Sequence, residues 1–258
     1  MKLGIFDSGA GGLSVLDSLL KMQLFQEVVY YGDTARLPYG TKHPTSIIDF
    51  SLQALDFFIQ QKVDIIVIAC NTASAYALDE MQKKCPSIPI IGVIKSGILA
   101  ITNKLKNLDS KILILATKAT INSRVYQKGL QELGYTNLTS IATSLLVPLV
   151  EENIFQGPIV NEVLKYYFKN LDFIPDAIVL GCTHFPLLSQ AISSFFDHKS
   201  LLVHSGEAIA QYLYTILPHV SKSSNTTLKF FASSDVAGLK NTAQKWLDLS
   251  SYKNLTIL

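Results

Sequence analysis

The sequence predicts an α/β protein made of two similar halves, each a mainly parallel β-sheet covered by helices. Two observations carry this expectation. Short apolar runs alternate along the chain with amphipathic stretches of helical period, the pattern of βα units around parallel sheets. One strand-to-turn segment also occurs twice, as DIIVIACNTAS at residues 64–74 and DAIVLGCTHFP at residues 176–186. Each copy reads as an Asp, an apolar run, a small residue, a cysteine and a polar pair. The opening KLGIFDSG is echoed by KILILATK from Lys111. Asp7 and Thr117 stand 110 residues apart and Cys70 and Cys182 stand 112 apart, as two copies of one half would place them.

The expected strands of the first half are Leu3 to Phe6, Glu27 to Tyr31, Ile65 to Ala69 and Ile88 to Ile94. Those of the second are Ile112 to Ala116, Ile178 to Leu180 and Leu201 to His204, with Leu228 to Ala232 following. Near-continuous runs of apolar and β-branched residues suit strands buried on both faces. Between them, Thr45 to Gln61 sets Ile47, Ile48, Leu52, Leu55, Phe58 and Ile59 on one helical face. No low-complexity linker interrupts the chain, so a boundary is expected at a short turn, Gly92 to Gly97 or Ser205-Gly206. The units after Gly206 are expected to return onto the first half.

With 258 residues, 48% of them hydrophobic, the chain has ample material for a core. Lys plus Arg number 22 against 20 Asp plus Glu, and no basic stripe interleaves with aromatics, so no nucleic-acid partner is expected. A small molecule is the better ligand. Met1 leads directly into Leu3 to Phe6, too short for a signal peptide, and no apolar run approaches membrane-spanning length, so the expectation is a cytoplasmic protein without membrane association.

Cys70, Cys85 and Cys182 form no CxxC pair and no metal-ligand spacing, which argues for free thiols and no metal. Cys85 falls where a helix should end and suits a structural role. Cys70 and Cys182 fall just past the carboxyl ends of buried strands, where open α/β sheets place their ligands. If the halves face each other, the two thiols face one substrate.

Asp7-Ser8-Gly9-Ala10-Gly11-Gly12 joins a strand to a helix and invites a dinucleotide-binding reading. The spacing rejects it: the third glycine of GxGxxG would fall at Ser14, and the P-loop ending Gly-Lys-Ser/Thr is missing. Asp7 then serves as an orienting or proton-handling group, or as a plain helix cap. Asn71, Thr72, Thr183 and His184 offer hydroxyl, amide and backbone donors suited to a carboxylate, and would equally serve as caps.

A free thiol has a pKa of about 8.5, and helix N-termini or nearby cations lower it. Cysteine phosphatase chemistry would want an Arg where Tyr76 and Leu188 stand, and a disulfide oxidoreductase would want its cysteines adjacent. A Cys-His hydrolase using Cys182 and His184 leaves Cys70 unemployed. Inverting a stereocentre requires an acid and a base on opposite faces of one carbon, and two equivalent thiols suit that task.

In GIFDSGxGG at residues 4–12, YGDTARLPYG at 31–40, ACNTASA at 69–75 and LGCTHFPLL at 180–188, the chain resembles the bacterial glutamate racemases of the cofactor-independent aspartate/glutamate racemase superfamily. The resemblance runs from Gly4 to about Trp246. It implies interconversion of L- and D-glutamate without pyridoxal phosphate or metal, supplying D-glutamate for peptidoglycan. Cys70 would be the base for D-glutamate and Cys182 the base for L-glutamate. Asp7 would assist the first and His184 the second, with Glu151, preferred over Glu152 by its position after Pro148, as a third helper. Substrate contacts would fall to Asp7, Ser8, Tyr39, Gly40, Asn71, Thr72, Thr117, Thr183 and His184. Two α/β domains are implied, 1–93 plus 207–258 and 94–206, with the site in the cleft between them, and a homodimer. The chain departs from the family at Lys95-Ser96, where relatives usually carry Glu-Pro, which bears on hinge stiffness or dimer contacts. A racemase for aspartate or another acidic amino acid, and a non-catalytic amino-acid-binding regulatory protein on the same scaffold, are the competing readings.

Overall fold

The computed structural model describes residues 1–217, 222–249, 252 and 255–258. Residues 218–221, 250, 251, 253 and 254, inside the expected carboxy-terminal return at 207–258, lie outside the described residues. The strands are β1 (Lys2–Asp7), β2 (Glu27–Gly32), β3 (Ile65–Ile68), β4 (Ile90–Gly92), β5 (Ile112–Ala116), β6 (Leu138–Ala142), β7 (Ala177–Gly181), β8 (Leu201–His204), β9 (Thr226–Ala232) and β10 (Leu255–Ile257). The helices of the first part are α1 (Leu13–Leu20), α2 (Pro44–Gln60), α3 (Asn71–Lys84) and α4 (Val93–Lys104). Those that follow are α5 (Lys118–Ser123), α6 (Val125–Glu132), α7 (Leu146–Glu151), α8 (Pro158–Phe168), α9 (Ser189–Phe195), α10 (Ser205–Ile216) and α11 (Val236–Trp246). Two short 3₁₀ helices, Tyr39–Thr41 and Phe185–Leu188, complete the elements used below.

Among the described residues the strands form two sheets, ordered β10-β9-β2-β1-β3-β4 and β6-β5-β7-β8, with every adjacent pair parallel. Setting β1 to β4 against β5 to β8 gives the same order in both, so the sequence repeat is a repeat of topology. The first sheet is covered on one face by α1, α10 and α11 and on the other by α2 and α3. The second is covered by α4 and α6 on one face and by α7, α8 and α9 on the other. Burial on both faces explains why β3 (IIVI) and β5 (ILILA) contain no polar residue. The chain crosses between the sheets through α4 and returns through α10. These two helices pack on each other, and α10 packs on α1.

Three local readings change. The run Ile88 to Ile94 is strand only over Ile90–Gly92, and Val93 and Ile94 already belong to α4. Both are buried, and burial leaves an apolar run silent about where strand gives way to helix. The strand β6 was not foreseen because this edge strand, LTSIA, is half-buried throughout and carries no continuous apolar signal. The short β10 at the opposite edge of the first sheet likewise escapes pattern reading. Lys95 is exposed in the first turn of α4, while Ser96 is buried and donates its hydroxyl to Val93 O at 2.8 Å. Among the described residues no helix is long and apolar enough to cross a membrane.

Candidate active site

The central strands β3 and β7 each hand the chain to a cysteine at the carboxyl edge of their sheets, Cys70 and Cys182. Both are free, buried thiols. They line one cavity together with Ser8, Tyr39, Gly40, Asn71, Thr72, Thr117, Thr183 and His184, and with Pro38, Val147 and Gly181. Its volume of about 20 Å³ has room for a water molecule rather than an amino acid, so the cleft must widen to admit a ligand. Larger cavities of about 460 Å³ beside α1 and α10 and about 520 Å³ between α4 and α6 reach neither Cys70 nor Cys182. The thiols, rather than cavity size, mark the site.

On the first side, Cys70 also caps α3, its sulfur accepting from Ala73 N at 3.5 Å, and its thiol donates to Ser8 Oγ at 3.5 Å. Burial, and then the nearby Asp7 charge, push the Cys70 thiol up to about 12 against these hydrogen bonds, so the closed site holds it protonated. Asp7 is fully buried beneath the cavity and does not line it. Its carboxylate accepts from Gly9 N at 2.9 Å and from Thr183 Oγ1 at 3.3 Å, tying the two halves together. Burial raises its pKa, and the His184 charge and the Gly9, Gly12 and Thr183 donors oppose that rise.

On the second side, Cys182 Sγ lies 3.7 Å from His184 Nδ1, and His184 Nε2 lies 3.0 Å from Glu151 Oε1. Burial disfavours charge on the ring, but the hydrogen bonds to Cys182 and Glu151 and the charge of Asp7 overcome it and raise the pKa to about 10. A doubly protonated ring donates at both ends, to sulfur and to carboxylate. Glu151, an exposed residue, therefore acts from behind His184 and does not line the cavity. Thr183 and His184 do not open an α-helix as expected. They precede the 3₁₀ helix Phe185–Leu188, and Thr183 spends its hydroxyl on Asp7.

Of the glycines at residues 9–12, Gly11 serves the approach of the other half. A Cβ on Gly11 would stand 2.3 Å from Thr183 Oγ1 and 2.5 Å from His184 Nδ1. Ser14 Oγ completes this seam by donating to Thr183 O at 2.7 Å.

Several site residues escaped the sequence reading. Thr72, Thr117 and Thr120 form a triangle of hydroxyls, each pair 3.0 Å apart, and the hint for Thr120 was its place one helical turn after Thr117. Tyr39 donates its hydroxyl to the fully buried Asp33, which also accepts from Arg36 Nε at 2.9 Å. Arg36 in turn lies 4.4 Å from the Phe50 ring centre. The motif YGDTARLPYG thus encodes the support of Tyr39 along with Tyr39 itself. Tyr126 and Ser205, which hold Asn71, carried no local signal at all. Cys85 stays outside the site, at the end of α3 with its sulfur 3.5 Å from Ser87 Oγ.

Two buried thiols at equivalent strand ends, one beside a histidine ring and one near a buried carboxylate, surrounded by donors for a carboxylate ligand, form the kind of site that moves a proton between the faces of an amino acid. The chain belongs to the Asp/Glu/Hydantoin racemase family, whose model matches residues 12–213. The glutamate racemase of Campylobacter jejuni subsp. jejuni is 52% identical over 249 residues, spanning 96% of this chain and 99% of that protein. The crystal structure from that organism matches with a TM-score of 0.94, covering 96% of this chain and 99% of the other. A Helicobacter pylori glutamate racemase is 50% identical over 258 residues, 96% of this chain and 100% of the relative. The crystal structure of glutamate racemase from Francisella tularensis subsp. tularensis in complex with D-glutamate is 31% identical with a TM-score of 0.86, covering 100% of this chain and 97% of that one.

Proposed function

We propose that this chain interconverts L- and D-glutamate by moving a proton on and off the α-carbon between Cys70 and Cys182. The observation that carries the reading is that both sulfurs, at the ends of topologically equivalent strands of two sheets, line one donor-rich cavity. Relatives that are glutamate racemases over nearly the whole chain, and a D-glutamate complex among the similar structures, support glutamate as the substrate.

In this mechanism Cys70 first gives up its thiol proton towards the carboxylate of Asp7, then as thiolate takes the α-proton of D-glutamate while the Cys182 thiol delivers its own to the opposite face. For L-glutamate the Cys182 thiolate takes the proton and the Cys70 thiol delivers one. Asp7 acts on the Cys70 side, and His184, charged through Glu151, on the Cys182 side. The hydroxyls of Ser8, Thr72 and Thr117, the Asn71 amide and the backbone N–H groups of Tyr39, Gly40 and Thr183 hold the carboxylates and stabilise the developing carbanion. The carboxylates enter a site already holding an imidazolium, which favours an acidic substrate over a neutral one. The lobes that open and close around it are residues 1–93 with 207–258, and residues 94–206. D-Glutamate made in this way feeds peptidoglycan, the protein works in the cytoplasm, and it assembles as a homodimer.

Incubation with L-glutamate in deuterated water tests the reading. Uptake of α-deuterium with loss of optical rotation is expected, and slower exchange with L-aspartate. No exchange with glutamate would leave a binding protein, and faster exchange with aspartate would reassign the substrate.

A further inference from the structure

Tyr126 lies on α6 in the second half, fully buried, yet its hydroxyl crosses to the first half and donates to Asn71 Oδ1 at 2.7 Å. Asn71 directly follows Cys70 and lines the cavity. Its Nδ2 gives one proton to Ser205 Oγ at 3.3 Å, and the same Ser205 hydroxyl lies 3.5 Å from Oδ1. An amide has an accepting oxygen and a nitrogen with two protons to donate, and its partners decide which way it faces. A phenol donates more readily than it accepts, so Tyr126 holds the oxygen on its own side. One Nδ2 proton is taken by Ser205, and the second remains for the cavity. The tyrosine ring is itself confined. A Cβ on Gly97 would lie 3.3 Å from its hydroxyl, and one on Gly181, the residue before Cys182, would lie 3.3 Å from its Cε2. One side chain therefore touches the supports of both thiols.

We propose that Tyr126 is a positioning residue of the racemisation site, fixing the Asn71 amide so that its N–H₂ group faces a carboxylate of the bound amino acid. Packing against Gly181 keeps that donor in register with Cys182. The inference rests on the glutamate racemase reading above and deepens it.

Tyr126→Phe removes the hydroxyl and keeps the ring. The expected result is a rise in KM for both glutamate enantiomers of about tenfold, with kcat changed far less, because a hydrogen bond made in ground and transition state alike is lost. Asn71→Ala should raise KM comparably, and adding Tyr126→Phe to Asn71→Ala should change nothing further. A tyrosine that only fills space would show the same effect in both backgrounds, and that additivity, or an unchanged KM in Tyr126→Phe, would overturn the proposal. Wild-type protein that takes up no α-deuterium from glutamate would sink the racemase reading and this one with it, an outcome distinct from failure of the variant alone. A crystal structure of the unmodified protein with D-glutamate bound gives a second measure that needs no variant. Asn71 Nδ2 within about 3 Å of a ligand carboxylate, with Tyr126 on Oδ1, is expected. Oδ1 facing the ligand, or Asn71 turned away from it, would refute the assignment.

Discussion

His184 Nε2 and Glu151 Oε1 stand 3.0 Å apart, with the other ring nitrogen 3.7 Å from Cys182 Sγ. The carboxylate thus stands on the far side of the imidazole ring from the thiol. The ring's ordinary value of 6.5 is raised to about 10, with Glu151 among the causes. Proton transfer that needs the charged ring should persist through neutral pH and fall as pH rises through about 10. In Glu151→Gln that alkaline limb of kcat/KM should move to lower pH. An unmoved limb would show that Glu151 does not set the charge of His184. Because the folded-state pKa is raised, the stability this proton contributes is complete below about 6.5 and lost as pH rises through about 10. Denaturation midpoints across that window should show the decline.

Cys70→Ser and Cys182→Ser should each cut racemisation by about 10² to 10⁴-fold, the usual size of a lost acid-base group. Enantiomers of glutamate have equal free energy, so kcat/KM must fall by the same factor in both directions for either variant. Each variant should nevertheless keep chemistry on its intact side, such as elimination from a substrate analogue carrying a leaving group. Polarimetry and product analysis separate the two, and full racemisation by either variant would refute the two-thiol mechanism.

Gly11→Ala should leave both sheets folded and still cost about tenfold or more in kcat/KM, because a misplaced catalytic group is expensive even when the displacement is small. The added methyl would start 2.3 Å from Thr183 Oγ1, so the Thr183-His184 loop has to retreat. Unchanged kinetics would mean that the seam between the halves is slack.

Arg36→Ala removes the cation at 2.9 Å from Asp33, leaving the Tyr39 hydroxyl as the named donor to a fully buried carboxylate. A stability loss of about 2 kcal/mol is expected in urea unfolding, below the range for a wholly buried pair because the guanidinium reaches solvent. KM should rise as well, since Tyr39 and Gly40 lose their support. A variant as stable as the wild type would show that Tyr39 is anchored by packing alone.

The two-halved α/β plan, the two thiols at equivalent strand ends and most of the residues around them are legible in the amino-acid order alone. Buried parallel strands write themselves as apolar runs, and a duplicated turn repeats its residues, so both are local patterns that survive in one dimension. The half-buried β6 did not, because its pattern is neither continuous nor alternating. What each polar group is bonded to emerges only when the chain is folded. Thr183 spends its hydroxyl on Asp7, Glu151 stands behind His184, and Tyr126 reaches Asn71 from 55 residues away. These pairings depend on how closely and at what angle the two halves meet. That is set by the α4–α10 crossing and by glycines such as Gly11 that let the backbones approach, and no periodicity along the chain encodes it.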